Sequence, residues 1–114
     1  MAYIPKQGDI IMMDFNPTKG HERQGRRPAV IVSNASYNKF ARGVAIVCPI
    51  TSTDKGIPLQ PKLNSKTRTS GVVMTDQVKA LDLTMRNAEF VEKMPIEILA
   101  DICEIVSGYS EMDN

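Results

Sequence analysis

The sequence predicts an α+β fold built on a curled antiparallel β-sheet. Several short apolar segments of strand length are separated by polar turns bearing Gly, Pro and Asn, and one late segment switches to helical period. With 114 residues, 42% of them hydrophobic, the chain suits one modest core, and a single domain over residues 1–114 is expected. Curling into a small barrel is a natural way for such a sheet to protect its edges.

The elements follow in order. Gly8-Asp9 opens a first strand, Ile10 to Phe15, and Asn16-Pro17-Thr18 signals a turn. A charged loop occupies residues 16–27. Pro28 begins a second strand running to about Ser33, and Ala35 to Arg42 reads as a short helix or an irregular crossover. Val44 to Ile50 is apolar on both faces, which marks a central strand. A polar loop from Thr51 to Pro58 follows. Leu59 to Leu63 suggests a short strand, and the prolines at 58 and 61 confine it to an edge. Residues 64–70 form a basic linker, residues 71–78 another strand, Lys79 to Leu83 a segment pairing after a bend, and Ala88 to Lys93 an alternating strand. Pro95 suits the first turn of a helix. Ile96, Leu99, Ala100, Cys103 and Val106 make one apolar stripe, widened by Ile102 and Ile105, and Gly108 is a helix stop.

Charge is unevenly spread. The net charge of the whole chain is +1, yet residues 1–68 carry +7 and residues 69–114 carry −6. The first part can attract a polyanion, and the acidic part forms a solvated face. The ten residues Lys19 to Pro28 hold four Lys/Arg, the single histidine and one glutamate, with Ala29-Val30-Ile31-Val32 directly after them. A cationic loop anchored on a buried strand grips phosphates well, because guanidinium forks match phosphate oxygens in pairs. The carboxylate and imidazole beside them are groups that can move protons. Cys48 and Cys103 are too few and too far apart for a disulfide framework or a zinc site, no His/Cys cluster has metal spacing, and no cofactor is implied. The N-terminus lacks a signal-peptide apolar segment, and no apolar run reaches the roughly 20 residues of a membrane helix. A reduced, cytoplasmic setting is expected.

Three blocks then make the chain recognisable. Gly8-Asp9-Ile10 with Asp14 to Gly25 and Arg27-Pro28-Ala29-Val30 form the first, Pro49-Ile50-Thr51-Ser52 the second, and Gly71 to Val78 the third. In this order and spacing the sequence resembles the MazF/PemK/Kid toxins of type II toxin–antitoxin systems, over nearly its whole length. The resemblance implies an SH3-like plasmid-maintenance-toxin barrel, related to CcdB, with a C-terminal helix. It implies a homodimer that cuts single-stranded RNA at short motifs without metal or ribosome, leaving a 2′,3′-cyclic phosphate and a 5′-hydroxyl. A cognate MazE/PemI-like antitoxin would lay an acidic segment over the cleft, and operator DNA would be met only through that antitoxin complex.

Residue by residue, Arg27 matches the family's catalytic arginine and Thr51 its catalytic threonine. Glu22 matches a functional glutamate of the MazF branch and His21 the catalytic histidine of the Kid branch, so both stand as candidates for the base. Asp76 aligns with the Kid-branch aspartate, but Met74 stands where that branch has its arginine, which favours the MazF-type pair Arg27 and Thr51. Phe15, Asn16, Lys19, Arg23, Lys55, Asp76 and Gln77 are candidates for holding RNA: cations on phosphates, amides on base edges, the aromatic by stacking. Two other readings share the barrel. A CcdB-like gyrase poison would use a C-terminal tryptophan, and this chain has no Trp. A non-catalytic RNA-binding barrel would lean on aromatic stacking, and aromatics make up 5% of the residues.

Overall fold

The computed structural model describes residues 3–15 and 25–114. Its strands are β1 (Asp9–Asp14), β2 (Arg26–Ile31), β3 (Val44–Thr51), β4 (Val72–Val73), β5 (Lys79–Asp82) and β6 (Glu89–Lys93). The helices are α1 (Ala35–Ala41) and α2 (Ile96–Gly108). Every strand pair is antiparallel, in the order β4-β3-β2-β1-β6, with β5 also on β3. β3 is central as its double-sided apolar sequence predicts: residues 44–47 hold β5, residues 47–49 hold β2, and residues 50–51 hold β4.

The sheet buries both faces. Alternation sends Ile10, Val30, Cys48 and Ile50 to one side, where Ile98, Leu99 and Ile102 of α2 complete the core. Ile11, Met13, Ala29, Ile31, Ala45 and Val47 fill the other side with Leu83. Burying a side chain such as Ile102 completely contributes about 2–3 kcal/mol. Burial pushes the Cys48 thiol up to about 12, with the Cys103 sulfur adding to it.

Several expectations are corrected in detail. β2 begins at Arg26 rather than Pro28, because Asp14↔Arg26 and Met13↔Arg27 continue the register with β1. Residues 35–41 are helical, capped by the Asn34 side chain accepting from the Tyr37 N–H at 3.0 Å. Residues 59–63 form no strand and keep only the single bridge Lys62↔Val72; Leu59 has φ 65°, which breaks an extended run. The strand expected over 71–78 is two residues long and passes into a 3-10 turn, Thr75–Gln77. The buried stripe of α2 is centred on Ile98, Leu99 and Ile102, while Ile96 is 75% exposed and Ala100 is exposed.

Candidate active site

The site forms where β2 and β3 stop pairing. Val32 donates its N–H to the Ile46 carbonyl at 2.9 Å, and Gly8 donates to the Ile31 carbonyl at 2.8 Å. Backbone groups along β2 therefore alternate, even-numbered residues turning to β3 and odd-numbered ones to β1. Pro28 is turned to β3 and has no N–H to give. The paired register ends at Ala29↔Pro49, and continuing it two places brings Arg27 opposite Thr51. A notch of about 320 Å³ opens there, lined by Arg27, Pro28, Ile50, Thr51, Ser52 and Ser70.

A second cleft of about 280 Å³ shares Arg27 and Thr51 and extends to Lys55, Gln60, Asp76 and Gln77, with Ile57, Met74 and Thr53 completing its walls. Arg27 is exposed, and among the described residues no carboxylate pairs with it. Arg26, one residue earlier, is bound to Asp14 at 3.2 Å and to Glu89, and donates to the Asn87 carbonyl at 3.0 Å. Asp14 is buried and also accepts from the Asn87 amide at 2.8 Å. That amide first, then Arg26, holds its carboxyl below the usual carboxylate range.

Thr51 is fixed by its backbone and open at its hydroxyl. It pairs with Val72 on β4, and its Oγ1 accepts from the Thr53 N–H at 3.2 Å, leaving the hydroxyl proton for another acceptor. Gly71 makes the close pairing possible. It has φ 120°, and a Cβ at this position would lie 2.0 Å from the Thr51 carbonyl oxygen.

Asp76 accepts from Gln60 Nε2 at 2.8 Å, across the cleft wall. The turn that carries Asp76 is anchored by Thr75, fully buried, whose hydroxyl donates to the Leu59 carbonyl at 2.5 Å and lies 3.0 Å from the Tyr109 hydroxyl. Lys55 follows Asp54, which accepts from the Gly56 N–H at 2.9 Å and pairs with Lys62 at 3.2 Å. The Gly56 amide, then Lys62, holds the Asp54 carboxyl below its ordinary value.

The structure thus brings together Arg27, Thr51, Lys55, Asp76 and Gln77 from the sequence expectation. Phe15 packs half-buried against the second core cluster, with Lys79 Nζ 5.6 Å from its ring centre, and lies outside both cavities' walls. Asn16, Lys19, His21, Glu22 and Arg23 lie outside the described residues. The cations of the basic linker are engaged: Lys66 pairs with Glu97 at 2.6 Å and Arg68 with Glu92 at 4.0 Å. Sequence reasoning missed Thr53, Ile57 and Gln60 as wall residues. They sit in a stretch without periodicity, and the sole available signal was the presence of polar side chains just downstream of Thr51. Among the described residues no group of three His, Cys, Asp or Glu side chains is placed to hold a metal ion, and no helix is long and apolar enough to cross a membrane.

Comparisons with known proteins identify the family. The model of the family described as PemK-like, MazF-like toxin of type II toxin-antitoxin system matches residues 6–107. The endoribonuclease toxin MazF of Escherichia coli (strain K12) is 42% identical over 86 residues, which are 75% of this chain and 76% of that protein. The endoribonuclease PemK of Escherichia coli is 33% identical over 101 residues, covering 85% of this chain and 75% of that protein. The MazE-MazF (Form-III) crystal structure from Deinococcus radiodurans matches with a TM-score of 0.84 at 34% identity, over 97% of this chain and 100% of that one. A polar cleft around an exposed arginine, on this sheet and with these relatives, leads to one conclusion: the chain belongs to the PemK-like, MazF-like toxin family of type II toxin–antitoxin systems.

Proposed function

We propose that the chain is a sequence-specific endoribonuclease toxin cutting single-stranded mRNA to 2′,3′-cyclic phosphate and 5′-hydroxyl ends, independently of metal and ribosome. The observation that carries this is that the exposed Arg27 and Thr51 line one notch together. The scissile phosphate sits between them. The 2′-oxygen attacks phosphorus as its proton leaves, the P–O5′ bond breaks, and the 5′-oxygen takes up a proton. His21 and Glu22 are the candidates to receive the 2′-hydroxyl proton.

Arg27 stabilises the extra negative charge on the five-coordinate phosphorus, and its fork can also hydrogen-bond the leaving 5′-oxygen as charge grows on it. Acting as the base is closed to it, since a guanidinium stays protonated. Thr51 donates its remaining hydroxyl proton to a non-bridging oxygen. Lys55 and Gln77 line the path of the flanking nucleotides, one suited to phosphate and the other to base edges. The dependence on an attacking 2′-hydroxyl makes RNA the substrate rather than DNA.

The toxin acts in the cytoplasm as a homodimer. A MazE/PemI-like antitoxin neutralises it by laying an acidic segment over the cationic cleft, and reaches operator DNA on behalf of the complex. The MazE-MazF complexes among the solved relatives support such a partner.

The test is to incubate the purified protein with a defined single-stranded RNA in EDTA and to map the ends. Cleavage with cyclic-phosphate and 5′-hydroxyl ends is expected, abolished by a 2′-deoxy substitution at the cut nucleotide. Intact RNA, or cutting that requires an added divalent ion, would overturn the proposal.

A further inference from the structure

We infer that Gln60 and Asp76 form a base-reading site that selects a nucleobase carrying an exocyclic amino group and rejects uracil. The inference rests on the reading of this cleft as an RNA site. Both residues line it, 2.8 Å apart through Gln60 Nε2 and Asp76 Oδ1. A carboxylate can only accept, so the Gln60 amide must turn its nitrogen to Asp76, and that settles which way the amide points. Among the described residues this leaves Asp76 Oδ2 and Gln60 Oε1 as acceptors, with the second amide N–H of Gln60 as a donor.

This edge is rich in acceptors. Adenine and cytosine offer it an amino donor beside a ring-nitrogen acceptor, and guanine offers two adjacent donors. Uracil offers a single N–H between two carbonyl oxygens; one carbonyl can take the Gln60 N–H, and the other would then face an oxygen of Asp76 or Gln60. Ile57, 44% exposed, and Met74 line the same cleft and give the flat face of a base an apolar, polarisable surface.

The backbone is arranged around this pair. Leu59, next to Gln60, holds φ 65°, a left-handed conformation that a leucine rarely adopts. The buried Thr75, next to Asp76, bonds the Leu59 carbonyl at 2.5 Å, and the Tyr109 hydroxyl from the end of α2 lies 3.0 Å from the same Thr75 oxygen. One hydroxyl thus fixes the residue before Gln60 and the residue before Asp76 together. Strain held in place by a buried bond is what a preorganised recognition edge requires.

The test begins by sequencing cleavage ends from a mixed RNA pool to obtain the motif. Each motif base is then replaced by its counterpart without the amino group: purine riboside for adenosine, inosine for guanosine, uridine for cytidine. At one position the replacement should lower kcat/KM by about 10- to 100-fold. Gln60→Ala and Asp76→Asn, each checked for an unchanged melting curve, should shrink that ratio to less than about threefold. Tolerance of every replacement, or the full ratio surviving in both variants, would overturn the inference. So would Asp76→Asn abolishing cleavage of both members of a pair equally, which would assign Asp76 to the chemistry. If the wild-type protein cuts nothing, the endoribonuclease reading fails separately. Binding of a set of single-stranded oligonucleotides and their amino-free counterparts, measured by fluorescence anisotropy, then decides. A preference for the amino form that both variants lose upholds the base site, and equal binding removes it.

Discussion

Arg26 gives its guanidinium to Asp14, Glu89 and the Asn87 carbonyl, whereas Arg27, the next residue on the same strand, stands exposed between two cavities that both include Thr51. Strand alternation alone separates them. Even-numbered positions share a face with Asp14 and its carboxylate, and odd-numbered positions share a face with Met13 and Thr51. The lesson concerns what makes a cation useful to a ligand. A guanidinium already neutralised by two carboxylates offers little to a phosphate, while its exposed neighbour offers a complete fork. The same distinction separates Lys55 in the cleft wall from Lys62, Lys66 and Arg68, which pair with Asp54, Glu97 and Glu92.

The contrast can be broken by mutation, and the largest effect should come from Arg27→Ala. On the proposed mechanism it lowers the single-turnover cleavage rate constant by about 10²- to 10⁴-fold while the melting temperature moves by less than about 2 °C. Arg27→Lys should recover little, because an ammonium cannot imitate the fork. Thr51→Val keeps the shape of the site and removes one donor, so cleavage should fall by about 10- to 100-fold. Arg26→Met should show the reverse pattern: a melting temperature lower by on the order of 5 °C and cleavage by the folded fraction within about threefold of wild type. A large loss of cleavage in folded Arg26→Met would erase the distinction between the two arginines.

The smallest effect is in pH dependence. Asp14 has a folded-state pKa below its ordinary value, chiefly through the Asn87 amide and then through Arg26. Its contribution to stability is therefore complete above the unfolded carboxylate pKa and is lost as pH falls through the depressed folded value. Asn87→Gly removes the principal cause and suits the left-handed backbone at that position, where φ is 51°. Urea midpoints measured between about pH 5 and pH 2 should decline less steeply in this variant than in wild type. Equal slopes would show that Asp14 is not the group being titrated.

Much of this molecule is legible in its sequence, and the exceptions have physical causes. β6 and α2 announce themselves by period, β1 and β3 by apolar runs bounded by turn residues, and Arg27 and Thr51 stand out by motif. The start of β2 was hidden because two charged residues, Arg26 and Arg27, read as loop, although their partners Asp14 and Met13 hold them in register. The inward face of α2 keeps Leu99, Ile102, Cys103 and Val106 of the expected stripe but gains Ile98 and loses Ile96 and Ala100, because contact with Ile10, Val30 and Ile50 decides which side of a broad apolar surface is buried. Leu59 and Leu63 imitate a strand, but the left-handed Leu59 serves instead to present Gln60. That Gln60 meets Asp76 depends on a buried threonine hydroxyl between distant segments, and no local pattern encodes it.

On the proposed mechanism the exposed guanidinium of Arg27 meets charge as it develops on phosphorus. Chemical rescue tests it most directly: single-turnover cleavage of a defined RNA by Arg27→Ala, with and without millimolar ethylguanidinium or ethylammonium. The account predicts severely slowed cleavage that ethylguanidinium restores in part and ethylammonium does not, with no stimulation of Arg26→Met by either. Arg27→Ala cutting within about threefold of the wild-type rate constant, or rescue by the two cations alike, would contradict it.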